Sequence, residues 1–249
     1  MQGIHVGCAG WAIPKTCADR FPATGSHLQR YAARLPAVEI NSSFYRLHRP
    51  ASYERWAAAV PESFCFAVKV PKEITHIRRL LELEPLDPFL EGVQALGSKL
   101  GPLLVQLPPR MVFDARIVAA FFSALRDRFG GSVVCEPRHP SWYTPEVEAL
   151  LLVHRVARVV ADPAPVPEGT QPGGWSGVVY YRLHGSPRLY YSAYSMDYLN
   201  ALAQKLVIAS STAETWCIFN NTASGAAIEN ALDLLRMLTD RSPESSRAR

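Results

Sequence analysis

Short apolar runs recur eight times along this chain, and seven of them stop at, or one step from, a single polar or charged residue. The runs are IHVGC, PAVEI, CFAVKV, PLLVQL, SVVCE, VARVVAD, VVYYRLH and WCIFN; the polar residues are Glu39, Lys69, Gln106, Glu136, Asp162, Arg182 and Asn220. Runs this short, rich in β-branched and aromatic side chains, read as strands covered on both faces. Most gaps between them carry a helical period. Asp114 is placed to cap a helix whose Ile117, Phe121, Leu125 and Phe129 recur every fourth residue, and the last helix repeats this with Ala227, Ala231, Leu234, Leu235 and Leu238.

Strand and helix alternating eight times within 249 residues is what a (β/α)8 barrel requires. The expected fold is therefore α/β, a TIM barrel forming one domain over residues 1–240, with 241–249 a flexible polar tail. A doubly wound open sheet is the alternative, but no GxGxxG follows the first strand. The segment 163–177, PAPVPEGTQPGGWSG, holds too much Pro and Gly for a helix, so a loop over the barrel mouth or flank is expected to replace the sixth helix.

Composition bounds the setting. Hydrophobic residues make up 48% of the chain, enough for one sizeable core, yet no apolar stretch reaches the roughly 18 residues of a membrane span. The N-terminus MQGIHVGCAG lacks a basic region followed by a long apolar run, which points to a cytoplasmic protein without a membrane partner. Five cysteines, Cys8, Cys17, Cys65, Cys135 and Cys217, show no CxxC spacing and read as buried reduced thiols. The net charge is only +4 and no basic run is present, so nucleic acid is a weak expectation as partner. Composition leaves the oligomeric state open.

Side chains two apart on a strand point the same way, so Ala37, Glu39 and Asn41 share a face, as do Leu104 with Gln106, Glu136 with Arg138, and Arg182 with His184. The outward face of a parallel barrel meets helices and is apolar. The polar member of each pair is then expected to point into the mouth, where barrel enzymes place their catalytic groups. The competing reading is a plug of ion pairs, Glu136 with Arg138, Glu39 with Lys69, and Asp162 with Arg182. Loops after the strands add Trp11, Phe44, Tyr45, His76, His139, Trp142, Tyr190 and Tyr194, aromatic walls of the kind that line small-molecule sites.

At this point the motifs are specific. GCAGW (7–11), VEINSSFYRL (38–47), FAVKVPKEITH (66–76), KLGPLLVQLPP (99–109), EPRHPSW (136–142), YYRLHG (180–185) and IFNNTASGAAIENA (218–231) together resemble the YecE-like family, domain of unknown function 72. The resemblance runs in order from about residue 3 to residue 239. It implies a TIM barrel, and it implies site positions rather than a reaction, because the family has no established activity. Those positions are Trp11, Glu39, Asn41, Phe44, Tyr45, Lys69, His76, Gln106, Glu136, Arg138, His139, Trp142, Asp162, Arg182, His184, Gly185, Asn220 and Asn221. Cys8 and Ala9 stand where the family pattern GTSGW has Thr-Ser, and KTCADRFP lacks the pattern's second Trp and Tyr, so the first loop departs most.

Three functional classes remain. The first is an enzyme without metal or other cofactor acting on a small anionic substrate such as a sugar phosphate or nucleotide-like acid. Lys69, Arg138 and Arg182 would hold the anion, Glu136 or Glu39 would act as general base and His184 as general acid. On this reading Glu136→Gln keeps its stability while losing function. The second class is metal-dependent phosphodiesterase or isomerase chemistry like that of endonuclease IV or xylose isomerase, with Glu39, Glu136, Asp162 and His184 as ligands; the neighbouring arginines would compete for those carboxylates. The third is a binding protein that stacks a ligand or a nucleic-acid strand on its aromatic mouth.

Overall fold

The computed structural model describes residues 3–241; apart from Arg241, the tail expected at 241–249 lies outside them. The elements follow in order β1 (Ile4–Ala9), α1 (His27–Ala32), β2 (Ala37–Ile40), α2 (Pro50–Ala58), β3 (Cys65–Lys69), α3 (Leu86–Gln94), β4 (Leu100–Gln106), α4 (Ala115–Arg128), β5 (Val133–Glu136), α5 (Pro145–Val153), β6 (Val156–Arg158), β7 (Val160–Asp162), β8 (Gly173–Gly174), β9 (Val178–Leu183), α6 (Met196–Ser210), β10 (Glu214–Phe219) and α7 (Ala226–Asp240). β6 and β7 are two halves of one strand interrupted at Val159, whose N–H donates to the Cys135 carbonyl at 2.8 Å. The first half pairs in parallel with β5 and the second with β9, while β10 pairs with β1, so eight parallel strand positions form a ring. The fold is the expected TIM barrel. No α-helix lies between β7 and β9: a short 3-10 turn at Pro167–Thr170 and β8, antiparallel to β6, occupy that stretch.

Local chemistry accounts for the helices. The Asp114 carboxylate accepts from the backbone N–H groups of Arg116 (2.9 Å) and Ile117 (3.2 Å), satisfying donors that have no partner inside the first turn of α4. Phe121 and Leu125 of α4, and Ala227, Ala231, Leu234 and Leu238 of α7, are buried against the strands. Among the described residues no helix is long and apolar enough to cross a membrane. All five cysteines are free thiols, four of them buried.

Two apolar layers result. A large cluster fills the space between strands and helices, and a small one, including Ala37, Ala67, Leu104, Val134, Val159, Tyr180, Trp216 and Ile218, fills the barrel itself. Large rings facing small residues let this interior close. A Cβ on Gly101 would stand 2.5 Å from the Trp216 ring, so that ring can lie across the barrel floor only opposite a glycine.

Candidate functional site

Glu39, Glu136 and Arg182 continue the inward parity of Ala37, Val134 and Tyr180 and meet just above the small apolar core. Arg182 is 2% exposed and all three of its nitrogens are occupied: Nε and Nη2 donate to the Glu39 carboxylate at 3.0 and 2.8 Å, and Nη1 to Glu136 Oε2 at 3.0 Å. Tyr180 OH adds a bond to Glu39 Oε2 at 2.9 Å. On Glu136 Oε1 two more donors converge, Arg138 Nη2 at 2.6 Å and His184 Nε2 at 2.9 Å. A carboxylate can only accept, so His184 presents its Nε2 proton to Glu136; Arg138 Nη2 also lies 2.7 Å from Nε2, and the Asn220 amide lies 3.0 Å from Nδ1.

The electrostatics follow from burial and pairing. Burial pushes the Glu136 carboxyl up, but Arg182, then Arg138 and His184, outweigh it and hold the group well below the usual carboxylate range. Burial lowers the His184 imidazole, against the opposing pull of Glu136. Burial also opposes the Arg182 charge, yet Glu39 and Glu136 prevail and raise its affinity for the proton. Of the expected ion pairs, the structure contains Glu136 with Arg138; Arg182 pairs with Glu39 and Glu136 rather than with Asp162, and Lys69 forms no salt bridge with Glu39.

Lys69 ends β3 beside this frame, 7% exposed, its Nζ lying 3.8 Å over the face of the Phe44 ring with no hydrogen-bond acceptor among the described residues. Burial, then the Arg182 charge, brings its amine down to about 8 despite Glu39 and Glu136. His76 packs edge-on against the same Phe44 ring at 4.9 Å; burial, then Lys69, takes its imidazole to about 4. Thr75 Oγ1 lies 3.2 Å from the Pro71 carbonyl and 2.8 Å from His76 Nδ1, which fixes the orientation of the imidazole. Tyr45 packs edge-on to Phe44 but is largely exposed.

Other expected site residues are distributed differently. Trp142 does not line the mouth: it is fully buried, donates Nε1 to the Met111 carbonyl at 2.8 Å and packs on Phe113. His139 caps the turn at Pro140–Trp142 through Nδ1. Asn221 is fully buried and donates to Ser192 O and Asn230 Oδ1, tying its loop to the loop before α6 and to α7. Trp11 packs edge-on against Trp56, and Gln106 donates to the Leu107 carbonyl. Asn41 Oδ1 is sealed without a donor, while Tyr190 packs edge-on over His184.

Asp162 is the clearest correction. Ala157 and Val159 belong to the barrel interior, which puts Asp162 on the outward face, where it accepts from Tyr198 OH at 2.9 Å and Tyr194 OH at 3.2 Å. It lines a cavity of about 240 Å³ on the barrel flank together with Ala164, Thr170, Tyr198 and Lys205, beneath the loop that replaces the sixth helix. The four residues of the metal-dependent reading are therefore not gathered, and no group of three or more His, Cys, Asp or Glu among the described residues is placed to hold a metal ion. Two features went unread in the sequence. Tyr180 shares parity with Arg182, a signal that was available. A cavity of about 500 Å³ between the loop after β1 and the start of α7, lined by Cys8, Gly10, Pro14, Thr222, Ser224 and Gly225, had no chemical signature.

Comparison with known proteins agrees with the barrel and its motifs. The chain is 24% identical over 274 aligned positions to the UPF0759 protein YunF of Bacillus subtilis (strain 168), covering 94% of each. It is 31% identical over 172 residues to the UPF0759 protein YecE of Escherichia coli (strain K12), covering 66% of this chain and 60% of that one. A crystal structure of a DUF72 family protein from Enterococcus faecalis V583 superposes with a TM-score of 0.79 at 26% identity, over 95% of each chain. Residues 5–248 match the family described as Protein of unknown function DUF72, and the chain belongs to that family.

Proposed function

We propose that the protein is an enzyme acting on a small anionic substrate, such as a phosphorylated sugar or nucleotide-like acid, by acid/base chemistry at the C-terminal mouth of the barrel. One observation carries this reading. Two buried carboxylates, Glu39 and Glu136, are matched by two guanidiniums, Arg182 and Arg138, and the Lys69 amine is left over at the strand ends with no acceptor among the described residues. An uncompensated buried cation is costly, and an arriving anion relieves that cost.

The roles shift from those expected of the sequence. Arg182, with every nitrogen occupied, acts as frame, and the anion meets Lys69 and the nitrogens of Arg138 that carry no bond to Glu136. Glu136 is held well below the usual range and accepts three charge-assisted bonds, so it makes a weak general base; Lys69, at about 8, is matched to proton transfer near neutral pH.

Inorganic phosphate and sulfate test this by thermal denaturation. A tenfold excess over Kd stabilises the native state by about 1.4 kcal/mol, roughly 3–6 °C in a chain of this size. Lys69→Met and Arg138→Met are expected to abolish the rise. An undiminished rise in both variants would place the anion elsewhere.

A further inference from the structure

We propose that Lys69 is a covalent nucleophile, forming an imine with the carbonyl carbon of a small aldehyde or ketone that also carries a carboxylate or phosphate. This rests on the reading of the mouth as an anion site and adds a reaction to it. Three observations point the same way. The Lys69 Nζ has no acceptor among the described residues, whereas side-chain polar atoms that are both sealed and unpartnered are confined there to Asn41 Oδ1 and Asn221 Oδ1, so Nζ is unpaired yet still reachable. Its surroundings are an aromatic face, Phe44, and two guanidiniums, Arg182 and Arg138, with Glu39 and Glu136 turned onto those guanidiniums rather than onto the amine. An amine among apolar walls and other cations loses its proton readily, and only the neutral amine has the lone pair that attacks a carbonyl. Lastly, the His76 imidazole packs edge-on against the same Phe44 ring, where burial and Lys69 keep it neutral.

In the step, the Nζ lone pair forms the C–N bond while the carbonyl π pair moves onto oxygen. Two protons pass from nitrogen to oxygen, with the neutral His76 imidazole as carrier; the C–O bond then breaks with its electron pair and water leaves as C=N forms. One amine and one carbonyl give one imine and one water, with no oxidant or reductant. Lys69 at about 8 supplies a sizeable neutral fraction at pH 7.5, roughly a quarter, where an ordinary lysine near 10.4 supplies about a thousandth.

Trapping tests the proposal. The full chain is incubated at pH 7.5 with pyruvate, with glycolaldehyde phosphate or with uncharged glycolaldehyde, reduced with sodium borohydride, and mapped by peptide mass spectrometry. The expected result is a secondary amine at Lys69 at least about tenfold above any other lysine, formed faster as pH rises through 8 and absent in Lys69→Met. Label spread over Lys15, Lys72 and Lys205 with Lys69 bare would overturn it. A phosphate-induced thermal shift without a Lys69 adduct sinks the imine and spares the anion reading. Equal trapping of glycolaldehyde and its phosphate sinks the anionic substrate class and keeps the nucleophile.

Discussion

Two lysines at opposite ends of the barrel are buried to nearly the same degree, Lys99 at 8% exposure and Lys69 at 7%. Lys99 sits at the floor, just before β4, and its Nζ donates to the carbonyls of Ala57 at 2.7 Å and Val60 at 2.9 Å, with Glu62 at 3.4 Å. Lys69 sits at the mouth, just at the end of β3, over an aromatic ring with no acceptor among the described residues. The first ammonium exchanges its water for protein oxygens and helps to tie α2 to the sheet. The second gives up water for nothing of equal strength, a strain that a fold tolerates where function depends on it. Burial alone therefore does not separate structural from functional charge; the inventory of partners does.

The largest effect is expected at the frame behind Lys69. Arg182→Met leaves Glu39 as a buried carboxylate with no cation and takes one of two guanidiniums from Glu136, a loss of about 3–5 kcal/mol, visible as a collapse of the urea midpoint or failure to fold. Glu136→Gln is expected to fall in the same direction, because it strips three charge-assisted bonds from Arg182, Arg138 and His184; this reverses the expectation drawn from the sequence. A wild-type midpoint in both would mean the ring is not the frame described.

Next comes the direct contrast between the two lysines. Lys99→Met leaves two carbonyls without their donor and should destabilise by about 1–3 kcal/mol. Lys69→Met should stabilise instead, by up to about 3 kcal/mol at pH 7. The sign follows from linkage: Lys69 titrates near 8 when folded and 10.5 when unfolded, so its penalty is complete below 8 and disappears as pH rises to 10.5. The gap between Lys69→Met and wild type should therefore close over that window, and a gap that is constant from pH 7 to pH 10.5 would show that Lys69 is not strained by its charge. The smallest effect belongs to the flank. Tyr198→Phe removes one of two phenol donors to Asp162 and should lower stability by about 0.5–1.5 kcal/mol while leaving the phosphate response intact. Loss of that response would move the site to the flank cavity.

Sequence periodicity was sufficient for the barrel, for the missing sixth helix and for the inward parity of Glu39, Gln106, Glu136, Arg182 and His184, because those patterns are written in residues two to four apart. It failed at Asp162. In VARVVAD one parity, Ala157, Val159 and Ala161, is wholly apolar and the other sets Arg158 and Asp162 beside Val156 and Val160; here the apolar set fills the barrel and the polar set turns outward, where Arg158 meets Glu148 and Asp162 meets Tyr194 and Tyr198, so the rule that the polar parity points inward chose the wrong face. The family resemblance also grouped Trp142 and Asn221 with the site, because a motif marks packing residues and mouth residues alike.

What only the tertiary structure decided is which charges meet. Arg182 joins Glu39 across 143 residues of chain, and Glu136 across 46, once the ring closes and sets their strand ends side by side. That closure occupies every nitrogen of Arg182 and leaves Lys69 with none of the carboxylates. Hydrogen bonds and ion pairs depend on distances of about 3 Å between atoms far apart in sequence, and these are set by strand order and tilt rather than by the local pattern of any one strand.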